Sequence, residues 1–282
     1  MVTEEIRYLY HDEKPFSLQL IHPDIKGPLP LVIDLHGGCW SKGSKAECLS
    51  RDLVLAEAGV ASAALDFRQG ASGYPKSLID INYAIRWLKA NADELNILPE
   101  KIGIIGQSSG GHLAMLSAMR PHDPRYASLR LEHYPDIDAT VNCVGMLWPV
   151  INPLSRYKRI CFLRTQINTP AWVGDLPERH NLYWASEIEM AEGNPLLAIE
   201  SGERVYTPPT IWIQGKPDPV HDYHDPESPY ELNEPERFAL NYREAGGSIK
   251  ILNINQKERT TRKSLDPLVK FLQNNLADKK YE

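Results

Sequence analysis

Residues 101–115, KIGIIGQSSGGHLAM, carry the clearest indication of the fold. The apolar run from Lys101 to Ile105 predicts a buried strand, and the stretch from His112 to Met119 predicts a helix. Between them stands GQSSG, residues 106–110, an instance of the pattern G-x-S-x-G. A strand that turns sharply into a helix leaves room only for glycines beside the serine, and it exposes the hydroxyl at the carboxyl edge of the sheet. Ser108 is therefore the candidate nucleophile.

A second glycine motif, HGGCW at residues 36–40, directly follows the apolar run from Leu29 to Leu35. Adjacent glycines allow backbone N–H groups to approach a ligand oxygen closely, as an oxyanion hole requires. We therefore expect the amides of Gly37 and Gly38 to face the same point as the amide of Ser109, the residue after the nucleophile. Two aromatic residues near predicted strand ends are the candidate substrate contacts, Trp40 and Trp148.

The rest of the chain alternates apolar runs with helical periodicity, which is typical of a parallel sheet with crossover helices. Strands are predicted at residues 29–35, 60–66, 101–105, 141–147, 210–214 and 249–254, and helices at 46–58, 77–91, 112–119 and 264–276. An antiparallel hairpin is expected over residues 7–21. The alternation is lost between Trp148 and Pro208, and an ordered insertion of that length predicts a cap over the site. The prediction is one α/β domain over residues 1–282, with a cap at about residues 148–208.

The composition is close to that of an average globular protein. The 31 Lys and Arg residues against 37 Asp and Glu residues give a net charge of −6, and without a basic run a nucleic-acid partner is not expected. No stretch approaches the ~18 apolar residues of a membrane span, and the polar N-terminal stretch is not typical of a signal peptide. The four cysteines show no zinc-binding spacing. We expect a cytoplasmic enzyme with a small-molecule substrate, no metal, no cofactor and no membrane partner.

These motifs together resemble the α/β-hydrolases of the hormone-sensitive-lipase-like and feruloyl-esterase-like group. Members carry HGG, then D-Y-R at a strand end, then G-D-S-A-G-G-H; this chain has HGG at 36–38, DFR at 66–68 and GQSSGGH at 106–112. The stretch HGGCW also resembles the HGGxW of arylformamidases. The resemblance implies an α/β-hydrolase fold and a cofactor-independent serine hydrolase. Gln107 and Ser109 replace the usual Asp and Ala, which we expect to be tolerated because those positions act through the backbone.

Residues 208–220, PPTIWIQGKPDPV, resemble the family motif P-P-x-…-H-G-x-x-D-x-V, which makes Asp218 the candidate triad acid. The alternative is an aspartate that serves only a proline-rich turn. In this family the catalytic histidine follows the last strand. Here that loop reads NQKERT at residues 255–260, and all nine histidines precede it.

His221 is the candidate for a relocated base. It lies three residues after Asp218, in an acidic loop from Val220 to Glu236 that leaves a predicted strand at its carboxyl end. One alternative is that both loop histidines, His221 and His224, are solvent-exposed. A second is a metal site formed by His221, Asp222, His224 and Asp225. A third is Lys257 as a desolvated lysine base. The acidic loop is also expected to disfavour strongly anionic substrates.

Three functions are compatible with these patterns. The first is the hydrolysis of a small carboxylic ester, in which Ser108 attacks the carbonyl, Asp218 orients the base, and water cleaves the acyl-enzyme. The second is a hydrolase fold that has lost hydrolysis and serves as a ligand binder or performs non-hydrolytic chemistry, which the missing C-terminal histidine favours. The third is the hydrolysis of an arylformamide, which the HGGCW stretch favours.

Overall fold

The structure is a computed structural model that describes residues 1–12, 14–71 and 73–277. Its strands within these residues are β1 (Val2–His11), β2 (Lys14–His22), β3 (Leu29–Leu35), β4 (Ala61–Leu65), β5 (Ile97–Gln107), β6 (Cys143–Leu147), β7 (Thr210–Lys216) and β8 (Ile249–Asn255). Its α-helices are α1 (Leu49–Glu57), α2 (Lys76–Ala90), α3 (Ser109–Met119), α4 (Pro153–Arg164), α5 (Leu176–Tyr183), α6 (Glu187–Glu192), α7 (Pro195–Glu200), α8 (Glu234–Glu244) and α9 (Arg262–Leu276). Short 3-10 turns occupy residues 45–48, 126–128 and 256–258.

The described strands form one sheet in the order β1-β2-β4-β3-β5-β6-β7-β8. The pairs β1–β2 and β2–β4 are antiparallel, which confirms the predicted N-terminal hairpin. Every pair from β4 to β8 is parallel, so the carboxyl ends of β3, β5, β6 and β7 meet at one edge of the sheet. The prediction of an α/β protein with a mostly parallel sheet is confirmed.

Both faces of the central strands are buried, as expected for a parallel sheet covered by helices. Leu31 and Ile33 of β3 belong to the larger core cluster, which also contains apolar residues of α2, α3 and α8. Val32, between them, points to the other face and joins a second cluster with residues of α1 and α9. This period-two alternation explains why β3 reads as a continuous apolar run in the sequence.

The motif at residues 66–68 links β4 to the glycine motif after β3. Phe67 stacks on the imidazole of His36 with a ring separation of 4.5 Å. Asp66 accepts a hydrogen bond from Nζ of Lys45 at 2.6 Å. The Nη2 atom of Arg68 lies 2.7 Å from Oδ1 of Asp80, which lies on α2 and is fully buried. These contacts fix the backbone on which the candidate oxyanion loop is built.

Four helices, α4 to α7, lie between β6 and β7, where the sequence predicts a cap. The end of α5 packs on the glycine motif, because Tyr183 and Trp184 lie against the ring of Trp40 at centroid distances of 5.6 and 5.4 Å. The insertion therefore lies over the carboxyl edge of the sheet, next to Ser108. Its function as a cap stays a prediction.

Candidate active site

Ser108 stands at the sharp turn between β5 and α3, with φ 54° and ψ −117°. A non-glycine residue in this region is strained, and the neighbouring strand holds it there. Its amide donates to the carbonyl of Leu147 at 2.9 Å, and its carbonyl accepts from the amide of Val150 at 3.1 Å. The side chain is partly exposed. The turn thus presents the hydroxyl at the sheet edge with its backbone tied to β6.

Ser108, His221 and Asp218 form a hydrogen-bonded series. Oγ of Ser108 lies 3.1 Å from Nε2 of His221, and Nδ1 of His221 lies 2.9 Å from Oδ2 of Asp218. A carboxylate only accepts, so Nδ1 carries the proton and Nε2 is free to accept from the serine hydroxyl. This is the arrangement that a nucleophile, a base and an orienting acid require.

The carboxylate of Asp218 is held by donors from three directions. Nε2 of Gln214 on β7 donates to Oδ2 at 2.9 Å, and the amide of Val220 donates to Oδ1 at 3.1 Å. Nη2 of Arg259, in the loop after β8, donates to Oδ2 as well. Burial opposes ionisation, but the hydrogen bond from His221 and the charges of His221 and Arg259 outweigh it and lower the pKa of Asp218 to about 2. The acid is therefore ionised at neutral pH.

His221 is 8% exposed and neutral at pH 7. Burial, together with the charges of Arg156 and Arg259, outweighs the raising effect of Asp218 and lowers the pKa of His221 to about 4. A neutral imidazole is the form that accepts a proton from a hydroxyl. The prediction that both loop histidines are solvent-exposed is wrong for His221, because its ring is enclosed beside Asp218.

The glycine motif lies directly against the serine turn. A methyl group on Gly37 would lie 3.5 Å from Cβ of Ser108. Gly38 has φ +110°, and a Cβ there would lie 1.8 Å from the carbonyl oxygen of Lys42, so only glycine fits this turn. Within the described ranges, the amides of Gly37, Gly38 and Ser109 donate to no protein acceptor. Ser109 opens α3, and the unpaired amides of a helix N-terminus favour negative charge.

Two further histidines, His112 and His36, make hydrogen bonds within this region to residues other than Ser108, His221 and Asp218. Nδ1 of His112 accepts from the indole N–H of Trp40 at 3.1 Å, while its Nε2 lies 2.7 Å from the carbonyl oxygen of Gly193. Nδ1 of His36 lies 2.8 Å from the carbonyl oxygen of Gly37. Trp40 is 1% exposed and packs in the core, and its contact with substrate stays a prediction.

Trp148, just past β6, has its ring 4.5 Å from the guanidinium carbon of Arg259. Both residues line a cavity of about 190 Å³ that Gly37 and Gln107 also border. A contact between Trp148 and substrate stays a prediction.

The sequence analysis missed two residues that hold the site, Arg259 and Gln214. The signal for Arg259 was present, since its loop is the one in which the resemblance placed the catalytic histidine. The side chain of Gln107 also has a structural contact that the sequence did not predict. Its Oε1 accepts from Nη1 of Arg51 at 2.8 Å, and Arg51 pairs with the buried carboxylate of Asp34 at 2.7 Å.

Lys257 and His224, the further candidates for the base, do not join the series around Ser108. Lys257 is exposed, so the alternative of a desolvated lysine as the base does not hold. Nε2 of His224 lies 3.0 Å from the carbonyl oxygen of Tyr230. In the part of the chain that the structure describes, no three His, Cys, Asp or Glu residues are grouped as metal ligands. None of the helices in those same ranges combines the length and apolar character needed to cross a bilayer.

The parallel sheet, with its sharp serine turn between β5 and α3, makes this protein an α/β-hydrolase by fold. The chain belongs to the BD-FAE family, whose profile matches residues 18–228. The predicted resemblance and the predicted fold are both confirmed.

Solved structures agree on the fold. Esterase 2 of Thermogutta terrifontis, phosphoramylated by tabun, is similar with a TM-score of 0.71 over 98% of this chain and 97% of that chain, at 23% identity. The hyperthermophilic esterase of Pyrobaculum calidifontis has a TM-score of 0.72 over 97% of this chain and 85% of that chain, at 18% identity.

Sequence relatives are esterases matched over part of their length. The probable carboxylic ester hydrolase LipM of Mycobacterium tuberculosis is 35% identical over 36% of this chain and 24% of that protein. Esterase LipC of the same organism is 34% identical over 42% of this chain and 30% of that protein. The chain thus matches about a quarter to a third of the length of these relatives.

Proposed function

We propose that this protein is a carboxylesterase-type serine hydrolase that cleaves small carboxylic esters without a cofactor. The observation that carries the proposal is the hydrogen-bonded series from Ser108 through His221 to Asp218. Membership of the BD-FAE family and the esterase relatives support the same class of reaction.

In the first half of the reaction, Oγ of Ser108 attacks the ester carbonyl while Nε2 of His221 takes the hydroxyl proton. The amides of Gly38 and Ser109, with that of Gly37, stabilise the negative charge on the carbonyl oxygen. The imidazolium, paired with Asp218, then gives its proton to the departing alcohol oxygen, which leaves an acyl-serine.

In the second half, water replaces the alcohol. His221 takes a proton from the water as its oxygen attacks the acyl carbon, and it returns that proton to Oγ of Ser108 when the acid leaves. Residues 148–208 act as a cap that limits the access of bulk water to the acyl-enzyme. The hypothesis of a hydrolase fold without hydrolysis rests on the absence of a histidine after the last strand, and the contact between His221 and Ser108 favours hydrolysis instead.

Turnover of p-nitrophenyl acetate and p-nitrophenyl butyrate tests the proposal. We expect Ser108→Ala to abolish turnover and His221→Ala to lower kcat by up to about a millionfold, the loss measured when a triad histidine is removed from another hydrolase. His224→Ala is the matched control, since it removes an imidazole from the same loop that makes no contact with Ser108, and it should leave kcat unchanged. Undiminished turnover in Ser108→Ala would contradict the proposal.

A further inference from the structure

One buried charge next to the site, that of Arg156 on α4, lacks a carboxylate partner. Arg156 is 3% exposed, and its Nε and Nη1 atoms have no hydrogen-bond partner among the residues that the structure describes. No carboxylate in the described ranges pairs with this guanidinium. Buried polar groups are nearly always hydrogen-bonded, and an unpaired buried charge is costly, so each exception needs a reason.

The position of α4 directs Arg156 toward the triad. Arg159, one turn further and on the same helix face, donates from Nη1 to the carbonyl oxygen of Pro219 at 2.6 Å. Its guanidinium also lies 4.5 Å from the ring centroid of Tyr223. The face shared by Arg156 and Arg159 therefore packs on residues 219–223, the segment that carries His221.

Electrostatic effects agree with this position. After burial, the charge of Arg156 is the largest influence that lowers the pKa of His180, to about 3. The same charge helps to lower the pKa of His221. His180 lies beside the candidate oxyanion loop, with its Nδ1 3.6 Å from Sγ of Cys39, and its Nε2 is buried without a partner. The charge of Arg156 therefore acts on both His180 of α5 and the candidate base His221.

The acidic loop does not neutralise this charge. Three of its carboxylates are paired elsewhere: Asp222 with Lys216 at 3.3 Å, Asp225 with Arg237 at 3.3 Å and Glu227 with Lys158 at 2.6 Å. Among the arginines that border the triad, Arg259 is paired with Asp218 and Arg159 with a carbonyl oxygen. The expectation that the loop disfavours anionic substrates therefore does not extend to the site itself.

We propose that Arg156 binds a carboxylate of the substrate, so that the preferred esters carry a free carboxylate in addition to the scissile bond. This inference rests on the proposed esterase function. The planar guanidinium, with two orphan N–H donors, matches the two oxygens of a carboxylate. The carboxylate belongs to either the acyl half or the alcohol half of the ester.

Two matched substrate pairs distinguish these sources. Monoethyl glutarate against ethyl pentanoate places the charge in the acyl half, and 4-acetoxybenzoate against 4-methylphenyl acetate places it in the alcohol half. We expect one anionic ester to exceed its neutral partner in kcat/KM by about tenfold to a hundredfold, as for a hydrogen bond to a charged group. Arg156→Met should abolish that preference, so that the anionic ester and its neutral partner have similar kcat/KM values.

Arg164→Met is the control for net charge, since it removes a cation from the same helix at a position paired with Glu178 on the surface. It should keep the preference. Because an unpartnered guanidinium does not stabilise the fold, Arg156→Met should have a Tm equal to or above that of the parent. Arg156→Lys is the second variant, to be used if Arg156→Met does not fold.

Several outcomes would overturn the inference. They are a lower kcat/KM for both anionic esters than for their neutral partners, or an equal loss on charged and neutral esters in Arg156→Met. If the parent turns over none of the four esters, that result counts against the proposed function and does not decide the inference about Arg156. Calorimetric titration of Ser108→Ala with monoethyl glutarate and 4-acetoxybenzoate then decides the inference. Binding that Arg156→Met weakens at least tenfold supports it, and absence of binding overturns it.

Discussion

Arg259 donates from Nη2 to Oδ2 of Asp218, the same oxygen that Nδ1 of His221 contacts at 2.9 Å. The loop after β8 thus contributes an arginine where the resemblance placed the catalytic histidine. The candidate base, His221, comes instead from the loop after β7, three residues beyond the candidate acid. The two candidates therefore lie on one short segment, and Arg259 contacts that segment from the neighbouring strand end.

Replacing Arg259 with Met should lower kcat and shift its pH dependence. Asp218 loses a charged donor, so we expect kcat to fall about tenfold or more. The charge of Arg259 lowers the pKa of His221, so its removal raises that pKa and moves the acid limb of kcat/KM to higher pH. Arg262→Met, an exposed charge three residues away, is the control. A limb that stays in place or moves to lower pH would argue against this role.

Esterase activity should persist well below the pH at which an ordinary histidine protonates. Catalysis needs the neutral imidazole, so kcat/KM is full above the pKa of His221 and is lost as the pH falls through it. With that pKa lowered to about 4, the acid limb should lie near pH 4. Circular dichroism at each pH checks that the fold persists. A limb near the usual value of about 6.5 would show that His221 is not desolvated as described.

Gly110→Ala tests the close approach of α3 to the strand before the oxyanion loop. Alanine normally stabilises a helix relative to glycine by about 1 kcal/mol. Here the new Cβ would lie 2.3 Å from the carbonyl oxygen of Leu35 and 2.4 Å from that of His36. We expect a loss of about 1–3 kcal/mol in urea unfolding, with a fall in kcat.

Gly202→Ala separates that overlap from general backbone strain. Gly202 has φ +78° and no atom within 4 Å of an added Cβ, so the variant should lose stability but keep its kcat. Equal kcat values for the Gly110 and Gly202 variants would count against the close approach as a requirement for activity.

Gln107→Leu tests the link between the serine turn and the buried ion pair. The substitution leaves Nη1 of Arg51 without its acceptor, so we expect the free energy of unfolding to fall by about 1–3 kcal/mol. Gln107→Glu restores an acceptor and should recover much of that loss. If Gln107→Leu unfolds at the urea concentration of the parent, the contact with Arg51 does not stabilise the fold.

Sequence patterns identified the elements whose shape follows from local chemistry. The turn at Ser108 and the glycines at 37 and 38 need particular residue types, so they are visible as motifs. The start of α3 was predicted three residues late, because Gly110 and Gly111 have low helix propensity and packing against β5 sets the helix instead.

The parts of the site and fold that the sequence did not predict depend on contacts between segments that are distant in sequence. Arg259 reaches Asp218 across 41 residues, and no local pattern marks that pair. Helix α8 was not predicted, since the acidic loop runs into it without a change in composition. The lack of a hydrogen-bond partner for Arg156 among the described residues likewise depends on how the insertion packs, and the sequence pattern does not predict it.

Covalent labelling by diethyl p-nitrophenyl phosphate shows whether Ser108 is an activated nucleophile. For the present protein we predict one diethylphosphoryl group, located by peptide mass spectrometry on Ser108, with labelling slowed by orders of magnitude in His221→Ala. A phosphoryl group on another residue, or labelling of Ser108 at the parent rate without His221, would contradict the account.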